Sequence, residues 1–261
     1  MDPLVFFAPV FLLLSAAEAS LLAGRSGRWQ LGDLFSGFGC GVLDQLVNLW
    51  VGAAFLGLYA LLRERLAPLR IEGGALGWAG CVLAHDLAYY LFHRASHRVN
   101  ALWAAHAVHH QSEDYTLAVS LRQGTASTWI TYGFYLPLAL FGFSVEMFVV
   151  VHATYQVYQF LVHTRLFPRL GGLERILATP MLHRVHHGRD QEHLDKNYGG
   201  FFIIWDKLFG TFAPYTREPD YGVTTGLKSW SPYWANLHPY ADPPRAPGAR
   251  LRRRARRISS A

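Results

Sequence analysis

Charged residues are scarce in this chain of 261 residues: only 16% are Asp, Glu, Lys or Arg, whereas 51% are hydrophobic. Soluble domains carry about 25% charged residues, so the deficit argues against an ordinary soluble protein and indicates a membrane protein. Cysteine is also scarce, with only Cys40 and Cys81, and both lie in apolar stretches. Two such residues exclude a disulfide framework and a cysteine-based zinc site. We expect both to be small buried side chains.

Basic charge is concentrated at the C-terminus. Seven arginines and no acid lie between Arg245 and Arg257, and removing these seven from the net charge of +6 leaves about −1 for the rest of the chain. Such a run is typical of a solvated, disordered segment, which we predict for residues 245–261. Its expected role is attraction to anionic lipid headgroups. Binding to nucleic acid is not expected of a membrane protein of this composition.

Long apolar runs predict several helices that cross a membrane. Three runs are long enough to span a bilayer, which takes about 20 residues: residues 3–22, 34–62 and 75–92. A fourth run, 126–163, is too long for one span, and Gly142 predicts the turn of a helical hairpin within it. Acids at membrane depth usually face protein or water. Glu18 is therefore expected to face protein or water, and Asp44 to face the interior or, as the alternative, to lie at an interface.

Three histidine clusters indicate a metal site. Eight of the thirteen histidines form one HxxxH and two HxxHH patterns: His93 and His97; His106, His109 and His110; His183, His186 and His187. Residues three and four apart share a helix face, and neutral imidazole binds Fe, Zn and Cu. A single HxxxH is common by chance, but a repeated HxxHH is not. Because one ion accepts about four to six ligands, eight histidines predict two ions.

Helix geometry separates the remaining histidines by depth. His85 lies about 12 Å from His93 along a helix, at 1.5 Å per residue, which is too far for a shared metal. We predict that His85 and Asp86 line the pocket or support the ligands from behind, with structural packing as the alternative. His163 falls where the hairpin returns to the level of the clusters. His152, in the middle of its helix, is expected to pack.

These patterns predict an all-α integral membrane protein with about four to five transmembrane or hairpin helices. A cytosolic helical cap would carry a histidine cage for two metals. The positive-inside rule places the basic tail, and with it the cage, on the cytoplasmic face. We predict four regions: N-terminal membrane helices at 1–74, a catalytic domain at 75–215, an extension at 216–244 and the basic tail at 245–261.

Two metals in a histidine cage at a membrane face suit the oxidation of a long lipid by O2. Iron supports that chemistry, whereas zinc has no redox function. A zinc-dependent membrane hydrolase is one alternative, since histidine clusters also activate water, but the chain lacks an HExxH carboxylate. A metal transporter is another; it predicts histidines and acids inside the spans, whereas most lie beyond them.

The sequence around the histidines resembles the fatty acid hydroxylase and sterol desaturase superfamily of membrane di-iron enzymes, and within it the alkylglycerol monooxygenase branch. The resemblance covers about residues 40–215. Four of the matching segments are HDLAYYLFHR from His85, WAAHAVHHQSEDY from Trp103, TPMLHRVHHGRD from Thr179, and DKNYGG from Asp195.

Membership of that superfamily would imply two iron ions (Fe2+/Fe3+) held by nine histidines: His93, His97, His106, His109, His110, His163, His183, His186 and His187. It also points to Gln159, an amide four residues before His163, and to Asn197 as residues near the site. The implied reaction is hydroxylation of an unactivated C–H bond of a membrane lipid, with desaturation by the same chemistry as the alternative. Electrons would come from a separate electron-transfer protein or from tetrahydrobiopterin.

Overall fold

The computed structural model describes residues 3–26, 31–223 and 226–241, and the regular structure in these ranges is helical apart from two isolated β-bridges. Within the described ranges, a 3-10 helix, Gly171–Arg175, lies between the seventh and eighth of ten α-helices. The α-helices are α1 (Pro3–Ser26), α2 (Leu31–Leu66), α3 (Ala75–Arg98), α4 (Asn100–His110), α5 (Leu117–Leu121), α6 (Ser127–Leu140), α7 (Val145–Val162), α8 (Pro180–His187), α9 (Ile204–Leu208) and α10 (Pro232–Ala241). The predicted all-helical class is confirmed. The predicted basic tail lies outside the described residues.

One helix of the described ranges is long and apolar enough to cross a membrane, the stretch Gly32–Leu66 of α2. It carries exposed large apolar side chains along its length, including Leu46 and Trp50. A shorter apolar stretch covers Pro9–Leu22 of α1. The helices predicted from the other apolar runs are present, and the number of them that cross a membrane remains a prediction.

The predicted hairpin is formed by α6 and α7, and its turn lies at Gly142. This residue has a φ of 94°, which favours glycine, and a Cβ there would approach the Leu69 carbonyl oxygen to 2.3 Å. The turn is fixed to the chain before α3, because Ile71 donates to the Gly142 carbonyl (2.9 Å) and accepts from the Ser144 N–H (3.1 Å). The hairpin therefore returns the chain, at the end of α7, to the C-terminal end of α3.

Helices α2, α3, α6 and α7 share the largest apolar core. Its fully buried members include Tyr59, Cys81, Met147 and Phe148. Both cysteines are buried and free, as the sequence predicts. This core holds α3 and α7 side by side, and their C-terminal ends carry His97 and His163.

Glu18 and Asp44 face the interior of the protein. The Glu18 carboxylate accepts hydrogen bonds from the Leu117 N–H at the start of α5 and from the Thr164 hydroxyl after α7. Asp44 accepts from the Asn48 amide (2.6 Å) and from the Thr128 hydroxyl (3.1 Å). Each acid therefore joins its own helix to a later part of the chain.

Candidate metal centre

Nine buried histidines converge where the C-terminal ends of α3 and α7 meet the short helices α4 and α8. They form two groups, and within each group one nitrogen of every ring lies within 4.8 Å of the others. The five-histidine group is His93, His97, His106, His110 and His186, and the four-histidine group is His109, His163, His183 and His187. The structure thus brings together all nine histidines named by the resemblance.

The sequence clusters do not coincide with the spatial groups. In α4, His106 and His110 point into the five-histidine group, whereas His109 points into the other. Adjacent helical residues differ in direction by about 100°, so one HxxHH helix presents rings to two neighbouring sites. Helix α8 is divided in the same way, with His186 in the five-histidine group and His187 in the other. Each short helix therefore belongs to both sites.

Backbone carbonyls fix the orientation of four rings through Nδ1. The four Nδ1···O pairs are His93 with Tyr198 (2.9 Å), His186 with Lys196 (2.9 Å), His109 with Arg122 (3.2 Å) and His163 with Gln159 (2.6 Å). A carbonyl oxygen can only accept, so each of these rings carries its proton on Nδ1. The lone pair of each Nε2 is consequently directed into the centre of its group, as in metal-binding histidines.

Converging lone pairs make a cation the natural occupant of the four-histidine group. The Nε2 atoms of His163 and His109 lie 3.1 Å apart, although both rings are protonated on Nδ1. Burial lowers the pKa of His109 to about 4, so no second proton bridges the pair at neutral pH. Two ligands at right angles around a metal, each about 2.1 Å from it, are separated by about 3 Å. The spacing fits metal ligation.

The five-histidine group shows the same chemistry. The Nε2 atoms of His186 and His110 are 3.2 Å apart, and burial lowers the pKa of His186 to about 3. Nε2 of His93, Nε2 of His97 and both nitrogens of His106 are buried without a hydrogen-bond partner. Buried polar atoms nearly always have one. The donor set is therefore suited to a second metal ion.

Asn197 holds the loop that supplies two of the four carbonyls. It has a φ of 55°, in the left-handed region that Asn tolerates better than most residues. Its side-chain amide donates to the carbonyls of Leu182 (3.0 Å) and Ala213 (2.8 Å), and its side-chain oxygen accepts from the Ala213 N–H (2.8 Å). Its two sequence neighbours, Lys196 and Tyr198, are the acceptors for His186 and His93.

Arg122 supplies the third carbonyl, the one that faces Nδ1 of His109. This residue was not singled out from the sequence. Its side chain is 1% exposed and forms an ion pair with Asp33 (3.1 Å). Its Nε donates to the Val108 carbonyl (3.1 Å), which ties it to α4 next to His109, the residue whose Nδ1 faces the Arg122 carbonyl. The available sequence signal was an arginine in a chain with few charged residues.

The remaining predicted residues lie beside the cage. His85 belongs to neither group; it is fully buried, its Nε2 is 3.1 Å from Nδ1 of His152, and its ring stacks on Tyr135. The side-chain oxygen of Gln159 accepts from the Tyr89 hydroxyl (3.3 Å), so its contact with His163 is made by its backbone carbonyl.

Asp86 ties α3 to the segment just before α9. Its carboxylate accepts hydrogen bonds from the N–H groups of Phe201 (2.7 Å) and Phe202 (3.1 Å) and from the Trp205 indole (2.8 Å). These contacts correspond to the packing alternative given for Asp86 above. They fix the chain directly after Tyr198 and so support the cage indirectly.

Comparison with known proteins gives one family and several relatives. The fatty acid hydroxylase family model matches residues 78–211. Human alkylglycerol monooxygenase is 38% identical over 235 residues, which are 89% of this chain and 52% of that protein. The zebrafish (Danio rerio) alkylglycerol monooxygenase is 40% identical over 196 residues, 75% of this chain and 44% of that protein. The ornithine lipid hydroxylase OlsE of Rhizobium tropici is 32% identical over 148 residues, 56% of this chain and 44% of that protein.

The chain spans about half the length of the curated relatives it matches. No solved structure shows a significant match. The match to the family model includes all nine histidines of the two groups.

Proposed function

The chain belongs to the fatty acid hydroxylase family, and from that premise we propose that it is a membrane di-iron monooxygenase that hydroxylates an unactivated C–H bond of a lipid. The observation that carries the proposal is the convergence of buried, neutral imidazoles whose Nε2 lone pairs face each other. The lipid hydroxylases and monooxygenases among its relatives support the reaction class.

The nine histidines are proposed as the ligands of two irons, one in each group. Bound iron supplies the activation of O2 and the one-electron steps that an inert C–H bond requires. The chain's own residues hold the rings in place, because carbonyls at four Nδ1 atoms fix their tautomers. They also exclude bulk water, since each of the nine rings is no more than 6% exposed. Dry surroundings strengthen electrostatic interactions inside the site and limit side reactions.

The zinc hydrolase alternative is not favoured by the composition of the site. A hydrolase of that kind needs a carboxylate as general base beside the metal-bound water. Within the described part of the chain, neither group contains an Asp or Glu. Asp86, the predicted acid on α3, is engaged by three donors of the segment 201–205.

The lipid substrate is proposed to enter from the membrane, and electrons to come from a separate electron-transfer protein or from tetrahydrobiopterin. The test is lipid analysis of cells that express the chain or its His106→Ala variant under 18O2. We expect an 18O-labelled alcohol that depends on the intact chain. If the hydroxylated carbon is bonded to an ether oxygen, the product splits into an alcohol and an aldehyde, and the labelled oxygen is then in the aldehyde. An unlabelled alkene would favour desaturation instead, and a hydrolysed lipid without label would overturn the proposal.

Asn197→Asp should weaken one metal site and leave the other nearly unchanged. Asp has an oxygen in place of the amide nitrogen that donates to the carbonyls of Leu182 and Ala213, so both hydrogen bonds are lost. The loop should then move, and with it the two carbonyls that orient His186 and His93. Loss of such a supporting contact lowers metal affinity by roughly 10–100-fold. Iron bound per chain, titrated against free Fe2+, should show one of two binding steps displaced. Asn236→Ala, which removes a bridging amide on α10, is the control; an equal shift of both steps would contradict the assignment.

A cysteine at position 192 should report the orientation of the cage. Glu192 is exposed in the segment after α8, and the native cysteines are buried, so background labelling should be low. With the cage on the cytoplasmic face, an impermeant maleimide should label Glu192→Cys in inside-out vesicles and spare it in intact cells. Labelling of intact cells would reverse the proposed topology.

A further inference from the structure

Six large apolar side chains are exposed in two segments of the chain, one just after α7 and the other at the end of α9. Four lie in residues 166–176 and two at the end of α9: Leu166 (38% exposed), Phe167 (50%), Leu173 (54%), Ile176 (56%), Leu208 (71%) and Phe209 (43%). The two segments are in contact, because the Lys207 ammonium donates to the Arg175 carbonyl (2.6 Å) and the Ile203 N–H to the Ile176 carbonyl (2.9 Å). We call these six side chains the interfacial patch.

The side chains of the interfacial patch are not part of a hydrophobic core. Neighbouring residues, Ala178, Leu182 and Ile203, are buried in a cluster of their own, and Ile203 is hydrogen-bonded to the patch segment through its N–H and the Ile176 carbonyl. The patch side chains are therefore exposed although the residues next to them are packed. Contiguous exposed apolar side chains of this kind mark a surface that is covered by a protein, a ligand or a membrane.

Basic side chains accompany the patch. Arg169, Arg175 and Lys207 are exposed within or beside it, although Arg169 and Lys207 also donate hydrogen bonds to backbone carbonyls. Glu174 is the one acid in residues 166–176 and 207–209, and its carboxylate accepts from the Leu170 N–H (3.1 Å). Apolar side chains interleaved with Arg and Lys are the composition of segments that lie in a membrane interface, where long basic side chains extend to lipid phosphates.

The position of the patch in the fold points to the same partner. It begins three residues after His163, which ends α7 at the level of the cage. On α7 itself, Val150 (47%) and Leu161 (42%) are exposed apolar residues. The exposed apolar surface of α7 therefore continues along the chain into the patch. The patch begins where α7 ends, at the level of the cage.

We infer that the interfacial patch lies in the headgroup region of the leaflet on the cage side, with its apolar side chains at the acyl boundary and its basic side chains on anionic lipid phosphates. The inference rests on the proposed membrane location of the chain. It makes the segment between α7 and α8 a second membrane contact, separate from the spanning helices. The short cage helix α8 follows this segment directly, so the cage is held at the bilayer surface.

The test uses a bimane fluorophore on Leu173→Cys or Leu208→Cys in the full chain, reconstituted into phosphatidylcholine vesicles with and without phosphatidylserine. We expect a blue-shifted emission, quenching by lipids that carry a nitroxide near the headgroup, and loss of quenching by aqueous iodide. Glu192→Cys is the matched control, and its bimane should be quenched by iodide. Arg175→Glu should shift the Leu173 probe towards water in the anionic vesicles.

Iodide quenching of both patch probes in vesicles would overturn the inference. If an added acidic electron-transfer protein such as cytochrome b5 then protects them, the patch is a docking surface for that protein instead. Iron content and lipid hydroxylation of the same labelled samples are measured in parallel. Active samples with water-exposed probes would reject the membrane contact and leave the proposed function standing.

Discussion

Replacing His106 or His183 by alanine is expected to abolish lipid hydroxylation and to lower bound iron from about two ions per chain to about one. The two residues come from different groups and from the two HxxHH helices. Both nitrogens of His106 are buried without a partner, and Nε2 of His183 lies 3.0 Å from Nε2 of His163. Loss of a supporting contact already costs roughly 10–100-fold, so loss of a ligand should cost at least about 100-fold in activity.

Iron per chain and product formation should be measured on the same purified samples. His238→Ala is the control, because His238 is a buried histidine on α10 that contacts the Trp234 ring outside both groups. It should retain both irons. Full activity in both His106→Ala and His183→Ala would rule out the proposed cage, whatever the fate of the control.

His163→Ala should lose iron and His85→Ala should keep it, although both residues are buried histidines. Nε2 of His163 lies 3.0–3.2 Å from Nε2 of His109, His183 and His187, so its loss leaves the smaller group with only three rings. We expect one iron to be lost, together with activity. His85 contacts His152 and Tyr135, so its alanine variant should keep both irons and lose activity only in part.

The comparison requires folded protein in both cases. Thermal unfolding of the metal-free variants gives that control. His85→Ala leaves a cavity beside Tyr135, so its unfolding temperature should fall although its iron content does not. If His85→Ala loses iron as severely as His163→Ala, the metal pair extends deeper along α3 than the two groups indicate. The ligand set would then have to include His85.

The sequence predicts the convergence of the histidines but not their division between two sites. Spacing of three and four residues places His106, His109 and His110 towards one side of a helix, and the resemblance adds His163. Which ring belongs to which group depends on how α4 and α8 pack against α3 and α7. Packing of that kind is a tertiary property, and helical periodicity carries no information about it.

Backbone groups explain most of the rest that could not be foreseen. The acceptors for Nδ1 of His186 and His93 are the carbonyls of Lys196 and Tyr198, and a carbonyl is present at every residue. Asp86 illustrates the same limit, because two of its three donors are backbone N–H groups about 115 positions away. Its helical position alone was compatible with both the pocket and the packing interpretation.

Glu18 gives the chain an order of assembly that differs from its order of synthesis. Its carboxylate is satisfied by groups 99 and 146 positions further along the chain. At about 5–20 residues per second, roughly 7–30 seconds separate the synthesis of the acid from that of Thr164. Until then α1 carries an unpaired acid in an apolar helix, which is costly inside a bilayer. Although α1 is made before α5 and α7, it should therefore dock only after both of them have been made.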